Sequence, residues 1–170
     1  MTLTCERAKE LLHYDPDTGI LSWRLSRGTR AAGMKAGTIH PDRYTSYLHV
    51  QVDKRMYKGH RIAWLITYGK FPLGVIDHID GDGLNNQLSN LRSASNSQNR
   101  MNWRSYKRGK YPRGVKYDSR NDRFYAVSSL NFKSVHIGTF RTAEDASAAF
   151  EAWARNTFGE FYATGEARHG

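Results

Sequence analysis

Cysteine is almost missing: Cys5 is the one such residue among 170. The chain can therefore close no intrachain disulfide and build no cysteine-rich zinc ribbon, and Cys5 itself is expected to be inert. Long apolar runs are absent too. A membrane-crossing helix needs roughly 18–20 apolar residues in succession, which excludes that class. The opening MTLTCERAKE carries Glu6 and Glu10 and no apolar stretch, so a secretion signal is not expected. Hydrophobic residues reach only 39% and the mean hydropathy is −0.71. One large core is not expected, and the length admits a single domain or two or three small modules. A soluble, cytoplasmic chain is expected, with no membrane partner and no obligatory protein partner evident.

Acidic residues are scarce as well. Sixteen Asp and Glu face 26 Lys and Arg, a formal net charge of +10. Such an excess favours nucleic acid or another anionic surface, because binding releases condensed counterions. The distribution sharpens this. Between Arg100 and Arg123 nine basic residues stand against Asp118 and Asp122, a net +7 in 24 residues. Trp103, Tyr106, Tyr111 and Tyr117 are interleaved with them, offering rings that pack on sugars or bases. The plain alternative is a solvated linker kept soluble by its charge.

What is present divides into three stretches. Thr4 to His13 fits a short amphipathic helix, and Ile20 to Trp23 a strand after the turn cluster Asp15–Gly19. Residues 26–46 are rich in Gly, Ser, Thr and Arg and read as loop. Tyr47 to Lys58 alternates around Asp53-Lys54, which predicts a β-hairpin, and His60 to Tyr68 a helix that Gly69 can end. In the second stretch, Val75 to Ile79 is a short strand, Asp80 to Gly83 a turn, and Ser93 or Ser95 can cap a helix running to about Asn102. In the third, residues 114–117, 123–127 and 135–138 are three short strands. Thr142 opens a helix whose Ala143, Ala146, Ala149, Phe150 and Trp153 line one face.

Asp77-His78, a carboxylate beside an imidazole at a strand end with several Asn following, carries the chemistry. Asp and amide oxygens suit a hard ion, Mg²⁺ or Mn²⁺, that keeps waters and binds phosphate oxygens. A neutral His can take a proton from water. From spacing alone this is a weak signal. Asp80 and Asp82 read as turn residues and not as a calcium loop, since Leu84 and Asn85 break that pattern. His60 leans structural, Asn85 and Asn86 read as left-handed turn positions, and His136 reads as packing.

The stretch from Val75 to Arg92, with Asn96-Ser97-Gln98-Asn99 after it and Gly59–Trp64 before it, resembles the HNH endonucleases of the phage and homing type. The likeness covers roughly residues 14–103 and is most specific over 75–99. It implies a ββα-metal fold with Asp77 and Asn99 as metal ligands and His78 as general base. It implies Asn90 as the residue that orients the His78 ring. The third motif letter is Asn99 in place of His, which leaves the ion fewer nitrogen ligands. Farther on, Tyr111–Lys116, Arg123–Val127 and His136–Ala146 resemble the APETALA2/ethylene-response-factor DNA-binding domain over about residues 111–160. That likeness implies a sheet laid in the major groove, where edges distinguish all four base pairs.

Together these give an α+β chain. A supporting region (1–58) leads into a ββα-metal core (59–103), a basic linker (104–112), a three-stranded antiparallel sheet packed on one helix (113–160) and a tail (161–170). The function implied is a metal-dependent endonuclease that acts on double-stranded DNA and nicks as a monomer. The setting implied is a phage or mobile element, hence host cytoplasm. One divalent ion, Mg²⁺ or Mn²⁺, is the expected cofactor. Arg100, Arg104, Lys107, Arg108, Lys110, Arg113, Lys116, Arg123 and Tyr125 are the expected DNA contacts. The alternatives are a catalytically inactive DNA-binding regulator and an RNA-directed protein.

Overall fold

A computed structural model describes residues 2–42, 45–102 and 110–163. By internal packing the chain forms two units, residues 1–93 and 94–170. The expected nuclease core, 59–103, spans that division. Arg104, Lys107 and Arg108 lie outside the described residues, as do most of the linker and of the tail.

The first unit opens with α1 (Cys5–Leu11), where the Thr4 hydroxyl accepts from the Arg7 amide at 3.2 Å, a side-chain N-cap. The helix stops short of His13 because Leu12 turns inward to start β1 (Leu12–Tyr14), which pairs antiparallel with β2 (Leu21–Trp23). Their turn is built on Asp15, whose carboxylate accepts from the Asp17 amide and the Thr18 hydroxyl. A three-stranded antiparallel sheet follows, in the order β3 (Thr38–Pro41), β4 (Ser46–Val52), β5 (Arg55–Lys58). The predicted loop over 26–46 is thus corrected at β3. All four β3 residues are exposed, so no alternation marks them, and pairing with β4 alone makes them a strand.

The β4–β5 hairpin turns at Asp53-Lys54, both with positive φ (46° and 63°), as the sequence pattern predicts. Next comes α2 (Gly59–Tyr68), ended by Gly69 at φ 76° with its amide on the Leu65 carbonyl. β6 (Val75–His78) pairs with β7 (Leu91–Ala94), and the segment between them carries a 3₁₀ turn at Leu88–Asn90. The core under these elements centres on Leu12, Leu21, Val50 and Ile62, each with under 2% of its surface exposed.

The second unit starts with α3 (Asn96–Asn102). Ser95 Oγ accepts from the Gln98 amide at 3.2 Å while Gln98 Oε1 accepts from the Ser95 amide at 2.7 Å, a reciprocal capping box. Then β8 (Val115–Asp118), β9 (Arg123–Leu130) and β10 (Lys133–Phe140) form an antiparallel sheet in the order β10-β9-β8, with α4 (Ala143–Phe158) packed against it. Strands β9 and β10 run longer than predicted and meet at a two-residue turn. Thr142 caps α4: its hydroxyl accepts from the Asp145 amide at 3.1 Å and donates to the Asp145 carboxylate at 2.7 Å. Ala126, Ala146, Phe150 and Ala154 fill the core, and Met101 of α3 belongs to it.

Candidate active site

Among the described residues of the first unit, the buried polar side chains are His60, Asp77, His78, Asn86 and Asn90. Burying a polar group is costly unless it is partnered, so their contacts are informative. Asp77 and His78 are adjacent on β6 and both buried, at 4% and 6% exposure. The Asp77 carboxylate accepts from Arg92 Nε on β7 at 2.9 Å, a pair in which both side chains are largely withdrawn from solvent.

The His78 ring looks the other way. Its Nε2 lies 3.2 Å from Asn86 Oδ1. An amide oxygen can only accept, so in the neutral ring Nε2 carries the proton and the basic lone pair falls on Nδ1. The His60 ring, from the first turn of α2, stands edge-on to His78 with centroids 4.9 Å apart and planes at 89°. Tyr47 of β4 completes the wall, 5.6 Å from His60 and 6.0 Å from His78, with Lys58 Nζ over its own ring at 3.7 Å.

Burial pushes the His78 imidazole below its ordinary pKa. The Asn86 bond and the charges of Asp80, Asp77 and Asp82 oppose that shift and do not cancel it. Burial and the His78 neighbour push His60 down to about 3, so it is neutral across the working range. Its Nδ1 is buried without a hydrogen-bond partner among the described residues. The His60 ring packs edge-on against His78, within the wall of the candidate site.

Asn90, which the resemblance implies as the orienter of His78, makes other bonds. Its Oδ1 accepts from the Asp80 amide at 3.0 Å, and its Nδ2 donates to Asp80 Oδ1 at 2.9 Å and to the Asn85 carbonyl at 2.8 Å. It closes the loop whose two ends carry His78 and Asn86, and the ring itself is met by Asn86. Asp80 and Asp82 are turn residues, accepting from the amides two positions on at 2.8 and 2.9 Å. Asn85 and Asn86 have negative φ, which corrects the left-handed reading, and Asn86 is only 2% exposed.

What holds Asn86 comes from far away in the chain. The Tyr14 hydroxyl donates to the Asn86 carbonyl at 2.7 Å, and the Leu88 amide donates to the Pro16 carbonyl at 2.9 Å. Burial pushes the Tyr14 phenol up to about 12, so it stays a donor at any working pH. Gly19, at φ 72°, passes so close that a Cβ there would sit 2.5 Å from the backbone of Asn86 and Gln87. Sequence reasoning missed Asn86 and Arg92 as site residues. No local signal marks either one.

The donor chemistry suits a hard divalent ion. A single buried carboxylate, waters and substrate phosphate oxygens are a common set for Mg²⁺. Among the described residues no three His, Cys, Asp or Glu side chains form a closed cage. Asn99, implied as a second ligand, is on α3 in the second unit, with its amide on the Ser95 carbonyl.

The expected DNA contacts divide. Val115 and Ala126 pair and are buried, so alternation turns Lys116, Arg123 and Tyr125 to the opposite face of the sheet. There Arg123 and Tyr125 line a shallow concavity with Asp118, Asn121, His136 and Thr139. His136 is exposed, which corrects its packing assignment, and its Nε2 lies 3.2 Å from Thr139 Oγ1. Lys110 is exposed, and Arg100 lies in the last turn of α3. Arg113 needs correction. Its guanidinium donates to the Arg100 carbonyl at 2.7 Å and the Met101 carbonyl at 3.3 Å, and sits 6.0 Å from the ring centres of Phe150 and Tyr162. It caps the end of α3 inside the unit, a position that burial makes less favourable for its charge.

Residues 57–101 match the family described as HNH endonuclease. The match runs from β5 into α3 and stops short of the β8–β10 sheet, so the APETALA2 likeness rests on sequence motifs alone. An uncharacterized HNH endonuclease of Acanthamoeba polyphaga mimivirus is 38% identical over 117 residues, which cover 67% of this chain and 60% of that protein. The chain thus spans about three fifths of the length of the curated relative it matches. Among the described residues no helix is long and apolar enough to cross a membrane.

Proposed function

We propose that the chain is a metal-dependent endonuclease that hydrolyses phosphodiesters of double-stranded DNA. One observation carries the reading: a buried Asp77-His78 pair in which the Asn86 amide directs the basic lone pair of His78 to Nδ1. The family match over the same residues supports it.

His78 Nδ1 takes the proton from a water, which attacks phosphorus opposite the 3′ oxygen. Burial keeps the imidazole neutral and ready at physiological pH, and the His60 ring excludes water from its flank. Asp77, held by Arg92, would hold the divalent ion, Mg²⁺ or Mn²⁺. That ion supplies charge stabilisation on the phosphate and the departing oxygen. Asn99 enters as a second ligand from the motif pattern alone. Lys116, Arg123 and Tyr125 on the exposed sheet face, with Arg100 and Lys110, contact the duplex, as the APETALA2 likeness suggests. One site per chain makes the product of a monomer a nick, and the phage or mobile-element setting rests on the resemblance.

The test is cleavage of supercoiled plasmid and cognate genomic fragments with Mg²⁺, Mn²⁺ or EDTA, wild type beside His78→Ala, with gel shifts on the same samples. Metal-dependent nicking that the variant lacks supports the reading. Binding without cleavage in every metal on cognate DNA supports an inactive DNA-binding regulator instead.

A further inference from the structure

The β9–β10 hairpin turns on Asn131-Phe132, both at positive φ, 49° and 65°. The second position of this two-residue turn belongs by preference to glycine, and a bulky side chain there is strained. The first unit makes the same turn at Asp53-Lys54, where the side chain at the second position is a hydrated ammonium. Phe132 has no such compensation. It is 83% exposed, the most exposed aromatic among the described residues, so it gains nothing from burial.

The tip is also held in place. The Asn131 amide donates to Ser97 Oγ at 3.0 Å, which fastens the turn to the first turn of α3, the helix that carries Gln98, Asn99 and Arg100. Lys133 follows Phe132 in the chain and is exposed, and α3 has no acidic residue in its first turn. A strained, solvent-facing ring thus stands on an anchored tip beside a cation.

We infer that Phe132 is a wedge that inserts between base pairs of bound double-stranded DNA, with Lys133 on the flanking phosphate. The inference rests on the DNA reading above and adds a contact which that reading does not contain. The chemistry fits a base step: it is opened by one apolar ring, and the residues beside this ring, Asn131 and Lys133, are polar. A lipid surface would be met by several apolar side chains together. Insertion favours the flexible TpA and CpA steps, so the wedge reads deformability and not base edges.

The experiment uses the full chain with 4-fluorophenylalanine at its seven Phe positions, in EDTA so that nothing is cut. The Phe132 fluorine line is assigned by its loss in Phe132→Gly. Glycine suits the positive φ, so that variant is expected to melt no lower than wild type. Short duplexes with TpA steps are added at low salt, and binding is followed by anisotropy. The expected result is an upfield shift or broadening of the Phe132 line as the duplex binds, with affinity about tenfold weaker in Phe132→Gly. Binding with an unmoved line and unchanged affinity in the variant overturns the wedge and leaves the DNA reading standing. A line that moves with anionic phosphatidylserine vesicles and not with duplex also overturns it. Wild type that binds no duplex overturns both.

Discussion

The two units handle polar chemistry in opposite ways. In the first, His60, Asp77, His78, Asn86 and Asn90 are each at most 8% exposed, whereas among the described residues of the second the one buried polar side chain is Asn102. The second carries its Lys116 and Arg123 on an open sheet face. A buried polar group is held by its partners, so its position is determined and a small change disturbs it strongly. An exposed cation is hydrated whether or not it binds, and its loss weakens attraction by increments. The difference separates a unit whose polar groups are fixed by partners from one whose cations stand in solvent.

The sharpest way to break that comparison is to remove the proposed base. His78→Ala is expected to lower the cleavage rate by about a hundred- to ten-thousand-fold while duplex affinity stays within a few fold. Cleavage assays beside anisotropy check both, and an active variant would end the assignment. Asn86 comes next. Asn86→Ala leaves the His78 tautomer unspecified and is expected to lower kcat by about tenfold. Asn86→Asp keeps an acceptor but stabilises the imidazolium, so the acid limb of its pH–rate profile moves to higher pH than in wild type. In wild type that limb lies below the ordinary histidine value of about 6.5, because burial lowers the His78 pKa and activity is lost only as pH falls through it.

Smaller effects belong to the second unit. Lys116→Ala and Arg123→Ala are each expected to weaken duplex binding and to reduce the dependence of log affinity on log salt by about one. Arg113→Ala is expected to do something else. It takes the Arg113 donors from the Arg100 and Met101 carbonyls and lowers stability by about 1–3 kcal/mol without that change in salt dependence. A salt titration and a denaturant melt on the three variants separate the two roles.

The gentlest probe is the pH dependence of folding. His60 titrates near 3 when folded and near 6.5 when unfolded. Its depressed folded value means that the unfolded chain binds the proton first. Stability from this group is therefore complete above about 6.5 and declines as pH falls toward about 3. In urea melts across that window, His60→Asn is expected to show a flatter decline than wild type. Equal slopes would show that His60 does not carry the loss.

Local punctuation was legible in the sequence because it acts over a few residues. Asp53-Lys54 set one hairpin turn, Gly69 ended α2, Ser95, one of two candidate caps, capped α3, and Thr142 capped α4. The Asp77-His78 pair could be singled out too, since adjacent residues share a strand end however the rest folds. Tertiary structure decided what surrounds the pair. Asn86 meets His78 because Tyr14, 72 positions away, holds its carbonyl and Gly19 lets the β1–β2 turn approach. Neither contact leaves a trace in the spacing of the motif. Arg113 looked like one cation among nine, and the packing of α3 against the second core turned it inward. β3, exposed along its length, became a strand by pairing with β4 alone. Turns and caps are settled by bonds within a few residues, whereas burial and partnership depend on segments that meet only when the whole chain has closed.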